Sequence, residues 1–160
     1  VSDIILNFII FITIWVLTDT SLLLTFLAFF GIQLQGTLYN YYYVILRNRF
    51  DGDTTSRVFE DKTPIALPGE KQKNVNILFF LYKAFYGVFD KIIYALDKNA
   101  SKGKTLPNWL MSLISTFGLG FQLLLISILL VLNLKEIIIP FFIGYSGLIF
   151  VFIAIRKTFY

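Results

Sequence analysis

The chain has 160 residues, of which 57% are hydrophobic and only 15% are charged, and its mean hydropathy is +0.74. A soluble domain of this size cannot bury that much apolar surface, so we expect lipid to be part of its surroundings. Cys and His are both absent, which excludes disulfides, thiolate metal sites and imidazole as a base or metal ligand. Any acid–base or metal chemistry must then use Asp, Glu, Lys, Tyr or water.

The hydrophobic pattern predicts an all-α polytopic membrane protein that forms a single membrane domain over residues 1–160. Four transmembrane helices are predicted, over residues 4–17, 21–46, 107–132 and 137–155. The first is short for a crossing of about 20 residues. It follows Val1-Ser2-Asp3 directly, without a charged leader. The first residue is Val and not Met, so we expect the chain either to be truncated at its N-terminus or to start from an unusual codon. The polar turn Thr18–Ser21 offers N-cap residues for the second helix.

A polar stripe runs along the second predicted span. Its members are three or four residues apart and share one helical face: Gln33, Gly36, Asn40, Tyr43 and Arg47. Two interpretations remain open. The stripe can make hydrogen bonds between helices, with Gly36 allowing close approach, or it can line a substrate cavity.

A polar insert over residues 47–106 follows the second span. Within it, the pattern predicts an amphipathic helix over about residues 75–98. A spanning helix here would place Lys83, Asp90 and Lys91 in the middle of the bilayer. We therefore expect a helix that lies in the membrane interface or packs on the bundle with one wet face.

The basic residues predict the orientation of the chain. Of the 14 Lys and Arg residues, all except Lys135 lie in the insert or after the last span. The positive-inside rule therefore places the insert 47–106 and the C-terminus in the cytoplasm. Orientation and anionic headgroups account for this charge, so we expect membrane lipids and no nucleic acid as partners.

Charged residues at the ends of the first two spans are candidates for function. Asp3 is a carboxylate at the mouth of an apolar helix, where it is costly unless water, a partner or a metal receives it. Arg47, Arg49 and Arg57 follow the polar stripe and are suited to bidentate binding of phosphate. The alternative for these arginines is the ordinary excess of basic residues on the cytoplasmic side.

Several stretches of the sequence carry a resemblance. Val1-Ser2-Asp3-Ile4-Ile5 resembles the end of the motif D-x-x-D-G-x-x-A-R, eight or nine residues, G-x-x-x-D-x-x-x-D of the CDP-alcohol phosphatidyltransferase family, with Asp3 as its last carboxylate. Other stretches are similar to some bacterial members: Asn40-Tyr41-Tyr42-Tyr43, Thr55-Ser56-Arg57-Val58, Tyr86-Gly87-Val88-Phe89-Asp90-Lys91 and Gly118-Leu119-Gly120-Phe121-Gln122. The resemblance implies the last four helices of a six-helix bundle, with the other motif carboxylates upstream of Val1.

The resemblance also implies a function. Such enzymes transfer a phosphatidyl or phospho-alcohol group from a CDP-linked lipid or alcohol to a hydroxyl, with release of CMP, in phospholipid biosynthesis. Asp3 would be the catalytic base and a ligand of Mg²⁺ or Mn²⁺. Substrate-binding residues would be Asn40, Arg47, Arg49 and Arg57. The enzyme would be a possible homodimer in the bacterial cytoplasmic membrane, and this chain by itself is expected to be inactive.

Two other functions remain open at this stage. The chain can be a non-enzymatic membrane subunit or transporter fragment whose polar stripe only packs helices. It can also be a lipid-binding interfacial protein built around residues 75–98, which high salt would release from membranes. The sequence also does not distinguish between four acceptor alcohols: glycerol phosphate, inositol phosphate, serine and a choline-type alcohol.

Overall fold

The computed structural model describes residues 2–50 and 62–160, and these residues form helices joined by loops, without a strand. The α-helices are α1 (Ser2–Leu17), α2 (Leu22–Arg49), α3 (Gln72–Leu96), α4 (Asn108–Ser115), α5 (Leu119–Val131), α6 (Lys135–Ser146) and α7 (Leu148–Phe159). A 3₁₀ turn, Ala100–Lys102, lies between α3 and α4. The predicted helical class is confirmed for the described part of the chain.

The central element of the fold is α2, which packs against α1, α3, α4, α6 and α7. Its start follows the predicted turn, because the Ser21 hydroxyl accepts a hydrogen bond of 3.2 Å from the backbone N–H of Leu24. This N-cap satisfies a backbone donor that the first helical turn leaves without a partner. Buried residues occur along most of the helix, from Thr25 to Ile45, as a helix surrounded by neighbours requires.

Two clusters of buried apolar side chains hold the neighbours of α2 in place. One cluster joins α1, α2, α5 and α6 through Phe11, Ile32, Ile126, Ile139 and Phe142. The other joins α2, α3, α4 and α7 through Tyr42, Ile93, Leu110, Ile114 and Ile153. Large apolar side chains also cover much of the outer surface, including Leu23, Val131 and Phe150. An apolar exterior around an apolar core is what a helical bundle in lipid presents.

Two helical stretches are long and apolar enough to cross a membrane: α2, and α6 with α7 (Lys135–Phe159). A third is present if α4 and α5, which are bent by 52°, are counted as one span. The apolar helix α1 has only 16 residues. The structure is therefore compatible with membrane insertion, whereas the four predicted spans are not confirmed.

The predicted span over 107–132 is not a single helix in the structure, because the helix breaks between α4 and α5. The backbone of Gly118 is extended (φ −67°, ψ 146°). Just before it, the hydroxyls of Ser115 and Thr116 donate to the carbonyls of Ser112 and Leu113. Such local bonds compete with helix continuation and bend helices, and hydropathy does not reveal them.

Helix α3 occupies nearly the range that was predicted for the amphipathic helix. Phe89 and Ile93 are buried on it, and Phe80 and Val88 are exposed on the outside. The helix packs along α2, so it lies against the bundle. Tyr82, Tyr86 and Asp90 of α3 line a cavity within the bundle, whereas Lys83 and Lys91 are exposed and do not line it.

Candidate functional site

A polar cavity of about 410 Å³ lies between α1, α2, α3 and the start of α5. Each helix contributes residues of one face, since the lining residues are mostly three or four positions apart. From α1 and α3 these are Asp3, Asn7, Tyr82, Tyr86 and Asp90; from α2 and the α5 end they are Ile32, Gln33, Gly36, Thr37, Tyr39, Asn40, Gly118, Leu119 and Gln122. The size is within the range of about 300–1,000 Å³ that is usual for small-molecule sites.

Two carboxylates line this cavity. Asp3 lies exposed in the first turn of α1, where the helix dipole favours a negative charge, and accepts a hydrogen bond from the Ser2 hydroxyl at 3.3 Å. Asp90 is half-buried on α3, and burial raises its pKa to about 6. The pKa of the Tyr86 phenol is raised, first by burial and then by the charge of Asp3, with a smaller effect from Asp90. Tyr86 therefore has both carboxylates as neighbours.

Two buried amide groups on the cavity wall have no hydrogen-bond partner among the described residues. They are the Oδ1 atom of Asn7, whose residue is 4% exposed, and the Nε2 atom of Gln33, whose residue is 7% exposed. A buried polar atom without a partner costs about 1–3 kcal/mol, and such atoms are rare in folded proteins. One acceptor and one donor on this wall are thus left unmatched by the described residues.

The polar stripe of α2 lines the cavity over part of its length. Gln33, Gly36 and Asn40 line the cavity, whereas Tyr43 and Arg47 lie beyond it, with the Arg47 guanidinium 5.4 Å from the Tyr43 ring centre. Helix packing relies on an adjacent face, through a chain of side-chain hydrogen bonds. Gln122 Nε2 donates to Gln35 Oε1 at 3.1 Å, and Gln35 Nε2 donates to Ser146 Oγ at 2.9 Å.

The predicted site residues are only partly brought together. Asp3 and Asn40 line the same cavity, and Arg47 and Arg49 do not. The Arg49 guanidinium donates to the carbonyls of Ser101 at 2.7 Å and Gly103 at 2.5 Å. It therefore anchors the loop between α3 and α4. Arg57 lies outside the described residues.

A second polar cluster, which we call the Asp97 cluster, was not predicted. The Asp97 carboxylate is fully buried and forms an ion pair with Arg156 of α7, which is 5% exposed. The Tyr42 hydroxyl donates to Asp97 Oδ2 at 2.7 Å, and the Tyr41 hydroxyl donates to the Asp97 carbonyl at 2.8 Å. These bonds tie α2, the end of α3 and α7 together. Sequence gave no signal for the pairing, because Arg156 follows a span as an ordinary membrane-flanking residue does.

Other residues of the cavity were also missed. Asn7 is a lone amide in an apolar helix, four residues after Asp3, and that spacing places both on one face. Asp90, Tyr86 and Tyr82 are four residues apart and share a face of α3. Their helical period was visible in the sequence. What it could not show is that this face of α3 is directed toward Asp3.

An apolar groove of about 530 Å³ lies beside the polar cavity and is bounded by α1, α2 and α3, which also border the cavity. It is lined by Ile4, Ile5, Phe8, Phe29, Phe30, Ala84, Phe85, Val88 and Phe89. Consecutive residues line the two spaces: Asp3 and Ile4 on α1, and Asp90 and Phe89 on α3. The pair of spaces fits a molecule with a polar head and a hydrocarbon chain.

Comparison with known proteins finds no match: no family model, no curated protein and no solved structure matches this chain.

Proposed function

We propose that this chain forms part of a membrane phosphotransferase that moves a phosphatidyl or phospho-alcohol group from a CDP-linked donor to an alcohol and releases CMP. The observation that carries the proposal is the polar, carboxylate-lined cavity beside an apolar groove on the same three helices. A reaction between a lipid and a water-soluble molecule needs both environments at one place. Four of the stretches that carry the family resemblance contribute to the cavity, through Asp3, Asn40, Tyr86 with Asp90, and Gln122.

In the proposed reaction, Asp3 is the general base. The acceptor hydroxyl gives its proton to the Asp3 carboxylate while its oxygen forms a bond to the β-phosphorus of the CDP-linked donor. The bond from that phosphorus to the bridging oxygen breaks, and this oxygen leaves with CMP. Asp3 is exposed at the cavity mouth, so an acceptor can reach it. Asn40 on α2 would bind substrate from the opposite wall, and catalysis would rest mainly on positioning.

The resemblance implies Mg²⁺ or Mn²⁺ as cofactor, and such a cation would neutralise the charge of the donor pyrophosphate. Within residues 2–50 and 62–160, no three acidic side chains are grouped so that they could hold a metal ion. The cavity carboxylates Asp3 and Asp90 therefore do not make a complete cation site.

We place the chain in a bacterial cytoplasmic membrane, with the insert 47–106 and the C-terminus in the cytoplasm, because 13 of the 14 basic residues lie in these segments. Asp3 then opens to the cytoplasm, where CDP-linked substrates and water-soluble alcohols are present. Arg47 and Arg57 remain proposed phosphate ligands on this side.

The test is CMP release by the protein that carries this chain, reconstituted in lipid vesicles with a CDP-linked donor and an acceptor alcohol. We expect Asp3→Asn to lower CMP release by about 100-fold or more, since a positioned base contributes about 10²- to 10⁴-fold. Asp19→Asn, which changes an exposed carboxylate in the loop between α1 and α2, should leave it unchanged. Full activity in Asp3→Asn would remove the proposed base.

The non-enzymatic alternative has its own supporting observation, the hydrogen bonds from Gln122 through Gln35 to Ser146. These bonds are what a purely structural subunit would need. If wild-type protein releases no CMP above background with any CDP-linked donor, the packing interpretation replaces the enzymatic one.

A further inference from the structure

The charges on the cavity wall restrict what the cavity can hold. Among the described lining residues, the carboxylates of Asp3 and Asp90 are the charged groups, and no Lys or Arg lines the space. Arg49, the predicted phosphate ligand at the end of α2, is bound to loop carbonyls instead. An acceptor that carries its own phosphate would bring further negative charge against both carboxylates, which is unfavourable.

Three tyrosines line the same cavity, Tyr39 from α2 and Tyr82 and Tyr86 from α3. The rings of Tyr82 and Tyr86 are stacked, with centres 5.5 Å apart and planes 26° apart. Tyr39 is similarly stacked on Tyr43, with centres 5.7 Å apart. Aromatic faces attract organic cations, and cavities that recognise quaternary ammonium groups are lined by such rings.

The unpaired amides specify a second feature of the ligand. Asn7 Oδ1 accepts a hydrogen bond and Gln33 Nε2 donates one, and neither has a partner among the described residues. A hydroxyl group can bond to either atom, because it is donor and acceptor at once. The walls are therefore complementary to a molecule that has a hydroxyl and a positive charge.

We propose that the cavity binds an alcohol that carries an ammonium group, and that the Asp90 carboxylate with the tyrosine rings recognises the charge. This inference rests on the proposed function and adds the substrate class to it. Asp90 is the better charge partner of the two carboxylates, since it is half-buried on α3, whereas Asp3 is exposed at the mouth. A less solvated carboxylate holds an organic cation more strongly.

The ammonium alcohol can reach the cavity from two sources, as the free alcohol or as the alcohol linked to CDP. Both present the same cation to Asp90. Two reaction mixtures separate them: choline with CDP-diacylglycerol, and CDP-choline with diacylglycerol. Release of CMP in the first mixture alone identifies the free alcohol, and release in the second alone identifies the CDP-linked alcohol.

The test of recognition is direct binding to the protein in detergent, with choline, ethanolamine, glycerol 3-phosphate and inositol 1-phosphate as probes. We expect choline or ethanolamine to bind and the two phosphates to bind at least tenfold more weakly. Asp90→Asn should weaken choline binding by about 10- to 100-fold, because the attraction between the carboxylate and the ammonium charge is lost. Asp19→Asn is the matched control and should bind like wild type.

A second pair of variants tests the aromatic wall independently of Asp90. Tyr86→Phe keeps the ring and should retain choline binding within a few-fold. Tyr86→Leu removes the ring face and should weaken choline binding by about fivefold, because the cation–π attraction is lost. If Tyr86→Phe, Tyr86→Leu and Asp90→Asn all bind choline as tightly as wild type does, the inference is overturned.

Binding and CMP release together distinguish the two proposals. If the protein releases CMP with glycerol 3-phosphate or inositol 1-phosphate and does not bind choline, the substrate class is wrong and the phosphotransferase function stands. If choline binds through Asp90 and no mixture yields CMP, the proposed function is wrong and the cation site stands. If neither probe class binds and no CMP is released, both are wrong.

Discussion

Two polar regions of this bundle differ in how completely their hydrogen bonds and charges are matched. In the Asp97 cluster, the buried carboxylate meets the Arg156 guanidinium and the Tyr42 hydroxyl. Its unmatched atom is Arg156 Nε, since Asp97 Oδ1 faces the guanidinium itself. In the cavity, by contrast, Asn7 and Gln33 keep buried polar atoms without a partner, beside two carboxylates.

The difference separates stability from binding. Buried polar groups that are paired with each other within the protein hold helices together. Removing one group of such a pair leaves its partner buried without a hydrogen bond or counter-charge, which costs the full desolvation free energy. A buried polar group without a hydrogen-bond partner lowers the stability of the protein. A ligand that forms a hydrogen bond to that group offsets this cost in free energy. Substitutions in the Asp97 cluster should therefore lower stability, whereas substitutions on the cavity wall should change ligand binding and leave the fold intact.

The largest expected effect is the loss of one partner of the buried ion pair. Arg156→Met leaves the Asp97 carboxylate buried without its counter-charge, and we expect the free energy of unfolding to fall by about 3–5 kcal/mol. Chemical unfolding in detergent micelles, followed by circular dichroism, measures it. Lys157→Met changes the neighbouring exposed residue and should alter it by less than about 0.5 kcal/mol.

A double variant separates the charge from the packing. Removing both charges, in Asp97→Leu with Arg156→Met, should be less damaging than Arg156→Met alone, because no uncompensated charge remains. A double variant that is as unstable as the sum of the two single changes would indicate that the ion pair contributes nothing beyond shape, and the Asp97 cluster would lose its proposed role as a matched unit.

The sequence predicted the helices of this fold better than the contacts between them. The Ser21 N-cap and the helix over about 75–98 follow from local residue types and period, which are determined within one or two helical turns. The approach of Asp90 to Asp3 and of Asp97 to Arg156 depends on how separate helices pack, and a single sequence carries no direct record of that. For the candidate site, this means that Asp3 and Asn40 were predicted, whereas Asp90 and Asn7 were not.

Two glycines of α2 should differ in how much a methyl group lowers stability, because one lies in a packed helix contact and the other lines the cavity. A Cβ atom on Gly31 would lie 2.2 Å from the Ser146 hydroxyl, in the packed contact with α6. A Cβ on Gly36, which lines the cavity, would have Phe117 O as its nearest neighbour at 3.9 Å. We expect Gly31→Ala to lower the free energy of unfolding by about 1–3 kcal/mol through overpacking.

Gly36→Ala is the matched control on the same helix. It should keep or slightly raise stability, because Ala has the higher helix propensity by about 1 kcal/mol, and it should weaken choline binding by narrowing the cavity. Thermal unfolding of both variants, together with the binding assay, checks the pair. Equal destabilisation by the two substitutions would mean that the cavity wall is packed as tightly as the contact with α6.

The smallest effect is the pH dependence that Asp90 gives to stability. Its pKa is raised from 3.8 to about 6 by burial, so the folded protein holds this proton more strongly than the unfolded chain does. This contribution to stability is present below about pH 4 and is lost as pH rises through about 6. The titratable groups that line the cavity around Asp90 are Asp3 on α1, Tyr39 on α2, and Tyr82 and Tyr86 on α3. Tyr41 of α2 shares a small adjoining pocket with Asp90.

Asp90→Asn removes this pH dependence, since the amide has no proton to lose in this range. At pH 7.5 the variant should be more stable than wild type by about 1 kcal/mol, well below the ~3 kcal/mol of a full two-unit shift because the side chain is partly exposed. At pH 4 the two should unfold alike, and Asp19→Asn should follow wild type throughout. A loss of stability at pH 7.5 would show that Asp90 is matched within the protein, as Asp97 is. A gain there, with weaker choline binding, would mean that this carboxylate is kept ionised at a cost to the fold and that its role lies with a ligand.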